Sequence, residues 1–178
     1  LDDAIGEAFD KCGKKLGLDY PAGPEIDKLS KMGDEHKFNF PLPKVEGGNI
    51  SYSGTKTAFI NFLHNNINKN KNFIDENLHD ICASIQKNLF DNLLNKVKFL
   101  AKANNLNSII LGGGVSANGY LKNRLDNESV KNNWKIFIPE LQYTSDNAAM
   151  IGIVGYLKYS KSKISDLKST PKPRYSFL

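Results

Sequence analysis

Residues 108–121, SIILGGGVSANGYL, run from an apolar stretch through three consecutive glycines into a helix start. Gly112, Gly113 and Gly114 leave backbone N–H groups free of any Cβ, and a helix amino terminus just beyond adds partial positive charge suited to a phosphate. Ser116 and Asn118 add a hydroxyl and a carboxamide within reach of a ribose or phosphate. The stretch matches neither GxGxxG with its downstream acid nor GxxxxGK[ST], and a plain tight turn accounts for the same glycines. Further on, YTSDNAAM sets Thr144, Ser145, Asp146 and Asn147 before an apolar helix. Any of the first three can cap that helix. Alternatively, Asp146 offers its carboxylate to a metal or ligand at the carboxyl side of a strand, where α/β folds place their sites.

Glu7, Asp10 and Lys11 form a polar edge on an apolar helix. They read as a solvated face, or Asp10, and Asp27 beyond Gly23, hold sugar hydroxyls. His36, His64 and His79 stand apart without HxxxH or HExxH spacing, which reads as surface histidine. Cys12 and Cys82 occupy apolar helical positions outside any CxxC and read as buried reduced thiols. No histidine and acid stand at a spacing that would make Ser53 a nucleophile.

The elements that must position these residues follow from periodicity. Ile5, Ala8, Phe9, Cys12 and Leu16 predict a helix over 3–16 stopped by Gly17. Gly23 and Pro24 open a short second helix that Gly33 closes as a left-handed stop. Residues 38–53 alternate in pieces broken by Pro41, Pro43, Gly47 and Gly48, predicting an irregular or edge-strand region. SGTKTAFINFLHNNI predicts a third helix, and the apolar positions from Ile74 to Leu100 one long helix or two joined ones. Two strands, NSIILGG and WKIFIP, flank a helix beginning after Val115. A last helix carries Ala148, Gly152 and Gly155, small enough to pack closely on a neighbour. The alternation predicts an α/β lobe with helices packed on a sheet.

The chain has 178 residues, 40% of them apolar, enough for a real core, and a net charge of +5. No run is apolar enough to span a membrane, and the amino terminus lacks the order of a secretory signal. A chain that starts at Leu1 directly in an amphipathic helix reads as a piece of something longer. Residues 158–174 hold five lysines and one arginine against Asp166, a tail that is either solvated or turned toward an anionic partner such as RNA.

Four stretches, LDDAIGEAFDKCGKKLGLDYPAGPEIDKL, SYSGTKTAF, LGGGVSANGYL and TSDNAAMIG, in this order and spacing, resemble the carboxyl-terminal half of the TsaD family, bacterial type. These are the tRNA N6-adenosine threonylcarbamoyltransferases, once labelled O-sialoglycoprotein endopeptidases. The resemblance runs almost from end to end and closes on KPRYSF. It implies an actin-like ATPase (ASKHA) fold, with residues 1–178 supplying one lobe and part of the interlobe cleft in a mixed sheet with packed helices. Residues 1–53 would be a helical and irregular segment lining the cleft, and 54–178 helices plus the α/β core. The family transfers threonylcarbamoyl from threonylcarbamoyl-adenylate to N6 of the adenosine beside the anticodon in tRNAs reading ANN codons. It works in the cytoplasm with TsaB and TsaE.

By the same resemblance, Asp10, Gly23, Asp27 and Asn118 would contact the adenylate. The glycines 112–114 and Ser116 would form a wall near its phosphate. Asp146 would ligate one metal ion per subunit, iron (Fe2+) or zinc, whose other ligands, the family's HxxxH, lie upstream of Leu1. This piece alone would then be inactive. The alternative is a non-catalytic subunit of the same superfamily, binding a nucleotide or a partner. The chain departs from the family's usual PGGP at PAGP, from SFSGLKT at Thr55, from CTDN at Thr144 and Ser145 and from the arginine after SAN at Gly119.

Overall fold

In a computed structural model, residues 3–166, 168 and 170 are described. Helix α1, Ile5–Leu16, buries Ala8, Phe9, Cys12 and Leu16, the stripe that the periodicity predicts. It ends as predicted at Gly17, with φ 79°, where the Leu18 N–H donates to the Gly13 carbonyl and that of Gly17 to Lys14. The same ending recurs where no glycine marks it. Asn105 and Asn133, at φ 53° and 52°, turn the chain out of the two helices preceding them, since asparagine tolerates the left-handed region best after glycine.

Helix α2, Ala22–Ser30, lies against α1 so closely that a Cβ on Gly13 would come 2.2 Å from that of Ala22. Gly33 does not act as a left-handed stop, because its φ is not positive. Its role is close approach: a Cβ there would lie 2.1 Å from the carbonyl oxygen of His79.

Helix α3, Ser53–Ile67, and α4, Phe73–Ala103, complete the core, and α4 is one unbroken helix. Its apolar face, with Ile81, Ile85, Leu89, Phe90 and Leu94, meets α1 and α2, and Phe90 packs on Phe9 at 5.3 Å between ring centroids. Residues 38–52 form no strand. Their polar backbone is met instead by Ser84, Asn88, Asn92 and Lys96, a stripe with the four-residue step of one α4 face. The Phe38 N–H donates to Ser84 Oγ at 3.2 Å, Asn88 Nδ2 donates to the Phe40 carbonyl at 2.7 Å, and Asn92 Nδ2 donates to that of Ser51 at 2.8 Å. Lys96 Nζ reaches the carbonyls of Val45 and Gly47. Side chains thus replace a neighbouring strand, and Phe38 and Phe40 are pressed against Phe62 at 5.0 and 5.2 Å.

Beyond α4 come strand β1, Ser108–Ile110, a 3-10 turn, Gly114–Ala117, helix α5, Gly119–Asn132, strand β2, Lys135–Phe137, a second 3-10 turn, Leu141–Tyr143, and helix α6, Ala148–Ser160. The sheet among the described residues is not mixed: β1 and β2 pair in parallel, with Ile109 opposite Ile136. Parallel pairing follows from the α5 crossover between them. The expected strands shrink to three residues each because Ile110 and Phe137 face solvent, so only the central pair is half-buried.

Thr144, Ser145 and Asp146 do not cap α6. Asn147 does, its Oδ1 accepting from the Met150 N–H at 3.0 Å. The close packing predicted at Gly152 and Gly155 is not met either, because open space surrounds both among the described residues. Residues 1, 2, 167, 169 and 171–178, including all of the KPRYSF ending, lie outside the described residues.

Candidate functional site

Four of the residues singled out in the sequence meet at helix starts: Gly23 and Asn118 lie there, and Asp10 and Asp27 reach there with their carboxylates from within α1 and α2. Asp10, on α1, accepts from the Ala22 N–H at 2.8 Å and so closes the first turn of α2. Gly23 follows directly, and a Cβ there would only touch Phe9 Cβ at 3.9 Å. Asp27, on α2, spans 92 residues of sequence to accept from the Gly119 N–H at 3.0 Å and from that of Tyr120 at 3.3 Å. Asn118 caps the same helix, its Oδ1 accepting from the Leu121 N–H at 2.8 Å. A carboxylate at the α5 amino terminus also suits the helix dipole. Asp27 and Asn118 are thereby brought together, and Gly119 makes room: a Cβ there would already sit 3.3 Å from Asp27 Oδ2.

The glycine turn has a narrower role than its composition suggests. Gly113, with φ 82°, occupies a left-handed conformation, whereas a Cβ on Gly112 or Gly114 would meet nothing within 4 Å. The Ser116 hydroxyl is buried and donates to the Gly113 carbonyl at 2.7 Å, so it closes the turn rather than facing outward. Val115 packs its Cγ2 against the Gly6 position of α1, which places the turn beside the helix that carries Asp10.

Two clefts open between these elements. One of about 270 Å³ is lined by Asp27, Glu35, Gln86, Gly119 and Tyr120. Another of about 730 Å³ is lined by Glu7, Asp10, Lys11, Lys14 and Tyr20. Asp10 and Asp27 therefore face different clefts. In the second, Lys11 pairs with Asp3 at 2.6 Å and Glu7 at 2.7 Å. Its hydrogen bond to Asp3 holds the Lys11 ammonium above its ordinary range and the Asp3 carboxyl below its own. In the first, burial pushes the Tyr120 hydroxyl up to about 12, so it stays protonated at neutral pH, with Arg124 donating to it at 2.7 Å.

Asp146 is exposed, ahead of α6, and its carboxylate has no hydrogen bond among the described residues. The same residues contain no group of three His, Cys, Asp or Glu side chains able to hold a metal. Cys12 and Cys82 are buried, as expected, and burial pushes both thiols up to about 12, which leaves them protonated. No described helix is long and apolar enough to cross a membrane.

Sequence reasoning missed Gln86 and Ser30. Gln86 Nε2 donates to Ser30 Oγ at 2.7 Å, and Gln86 Oε1 accepts from Asn118 Nδ2 at 2.9 Å. The available signal was a carboxamide on the buried face of ICASIQKNLF, where an unpaired amide would be costly.

Fold and site together define an α/β protein that gathers carboxylates and carboxamides at the starts of two helices, beside a bare-backbone turn at the end of a parallel strand. Comparison with known proteins makes the class particular. The chain belongs to the TsaD family: the family described as tRNA N6-adenosine threonylcarbamoyltransferase matches residues 1–153. Proteins of that name are 47% identical over 99% of this chain in Christiangramia forsetii and 45% identical over 98% in Riemerella anatipestifer. One from Thermosipho africanus is 48% identical over 93% of it. The chain spans about half the length of these relatives, 52%, 51% and 49% respectively.

Proposed function

We propose that this chain is the carboxyl-terminal portion of a tRNA N6-adenosine threonylcarbamoyltransferase of actin-like ATPase fold, supplying one lobe and part of the interlobe cleft. The observation that carries the reading is similarity along 99% of the chain to a protein of that name. The lobe assignment draws support from α6. Ile151, Ile153, Val154, Tyr156, Leu157 and Tyr159 are all exposed on it, and a helix apolar on every side belongs in a core.

The substrate in this reading is threonylcarbamoyl-adenylate, a mixed anhydride. The adenosine amine of tRNA attacks its carbamoyl carbon, the bond to the phosphate oxygen breaks, the amine loses a proton, and AMP leaves. Asp10 and Asp27 serve as acceptors for substrate hydroxyls, Asp27 from the cleft it shares with Gln86 and Asp10 from the neighbouring one, and Asn118 keeps a second amide N–H beyond the one given to Gln86. Gly113 keeps the turn near the phosphate free of a side chain.

Asp146 suits one position of an iron or zinc site, because its carboxylate is exposed and is not spent on the α6 cap, which Asn147 supplies. When bound, such an ion is a Lewis acid that polarises the carbamoyl carbonyl. The remaining ligands, the tRNA, the TsaB-like and TsaE-like partners and a cytoplasmic location complete the reading. The chain by itself lacks a full ligand set in this account and would be inactive.

The test is tRNA modification by the full-length protein with its partners, wild type against Asp146→Ala, scored by mass spectrometry of tRNA nucleosides together with bound metal. Loss of one ligand should lower both, activity by about a hundredfold or more. Equal activity overturns the ligand assignment. A full-length chain without HxxxH overturns the enzyme reading in favour of a non-catalytic binding subunit.

A further inference from the structure

Asp27, Ser30, Gln86, Asn118 and the start of α5 form a closed circuit of hydrogen bonds. Asp27 accepts from Gly119 and Tyr120, and Asn118, next in the chain, donates to Gln86. Gln86 donates to Ser30 Oγ, and Ser30 Oγ donates to the carbonyl of Asp27 at 3.0 Å. Three helices, α2, α4 and α5, meet in this circuit, and Gln86 is the member from α4. At 1% exposure both of its polar atoms are committed, and it also lines the 270 Å³ cleft.

The two halves of its carboxamide do different work. The oxygen holds the Asn118 amide in one plane and leaves its second N–H aimed elsewhere. The nitrogen holds Ser30, and through it the backbone that carries the Asp27 carboxylate. A side chain offering only one of these would release either the half-buried Asn118 amide or the half-buried Ser30 hydroxyl, the latter then held only by the Asp27 carbonyl.

We propose that Gln86 is a positioning residue that sets Asn118 and Asp27 in register for the adenylate substrate, without needing to touch it. This rests on the reading of Asp27 and Asn118 as substrate contacts given above. A Gln86→Met side chain fills much the same volume but opens the circuit at both points. Gln86→Glu as a carboxylate still accepts from Asn118 but cannot donate to Ser30, whose single hydroxyl hydrogen must then serve either the carboxylate or the Asp27 carbonyl, so the circuit opens at one point only.

The experiment uses the full-length protein with its partners, threonylcarbamoyl-adenylate as the varied substrate, and thermal melting of each variant. Gln86→Met is expected to raise KM for the adenylate about tenfold with kcat within about twofold, as for lost ground-state positioning. Gln86→Glu should give a KM between those of wild type and Gln86→Met. A folded Gln86→Met with wild-type KM overturns the proposal. Should that variant fail to fold, Gln86→Glu decides: a wild-type KM for it overturns the proposal. Wild type that transfers nothing overturns the functional reading, and this proposal with it, which separates the two failures.

Discussion

Single residues show where this chain departs from its relatives' pattern and what the departure does. Thr55 stands where the resemblance expects leucine, is 0% exposed, and its Oγ1 has no hydrogen-bond partner among the described residues. A buried hydroxyl without a partner destabilises, so Thr55→Val, which keeps the shape, should raise the unfolding free energy by about 1 kcal/mol in urea titrations. A loss of stability would show that the hydroxyl is satisfied. Gly33 predicts the opposite sign. Because its missing Cβ would meet backbone of α4 rather than a flexible side chain, Gly33→Ala should cost about 2–3 kcal/mol in the same titration. Its type was conspicuous in the sequence but its reason was not: a glycine after a helix reads as a left-handed stop until the helix it touches, 46 residues further on at its neighbour Asp34, is in place.

At the scale of elements, α4 organises the molecule with two faces. One is apolar and was legible from its three- and four-residue steps. The other, Ser84, Asn88, Asn92 and Lys96, escaped notice because polar residues at helical spacing look like a solvated side. What makes them buried is the irregular segment 38–52, whose backbone groups need partners that no strand supplies.

A charged link fastens α4 to α5 in a similar way. Arg124 donates to Asp91 Oδ1 at 2.6 Å and Lys87 to its Oδ2. Burial raises the Asp91 carboxyl, but these two hydrogen bonds outweigh it and hold the group below its ordinary 3.8. A depressed carboxylate contributes stability that is present above pH 3.8 and is lost as pH falls through its folded value. Asp91→Asn should therefore cost about 1 kcal/mol at pH 7, a figure held low by solvent screening of a half-buried pair. The difference from wild type should vanish near pH 2, read as melting temperature against pH. A difference that persists undiminished at pH 2 would assign the effect to packing.

For the whole molecule, the uneven distribution of apolar surface is the main feature. Helices α1 to α4 close around a core, while α6, Ile110 and Phe137 present large apolar side chains to solvent. The 178-residue chain should therefore bind a hydrophobic dye, and the double substitution Ile151→Lys with Tyr159→Lys should reduce the signal without lowering its melting temperature. In the full-length protein the same pair should lower the melting temperature, since there α6 is proposed to be covered. A dye signal unchanged by the pair would place the exposed surface elsewhere.

The amino-acid sequence by itself determined the helices, the Gly17 stop, the alternation of helices with two strands and the family, because each is written in local periodicity and in motifs read along the chain. The parallel pairing of the strands and the role of Gly33 were not written there. Only the tertiary structure decided what those residues do. Asp27 meets residues 92 and 93 positions away, Gln86 completes the circuit from a third helix, and Ser116 turns inward to close its own loop. A hydrogen bond is a relation between two groups in space, and these pairs come together only when α2, α4 and α5 have packed.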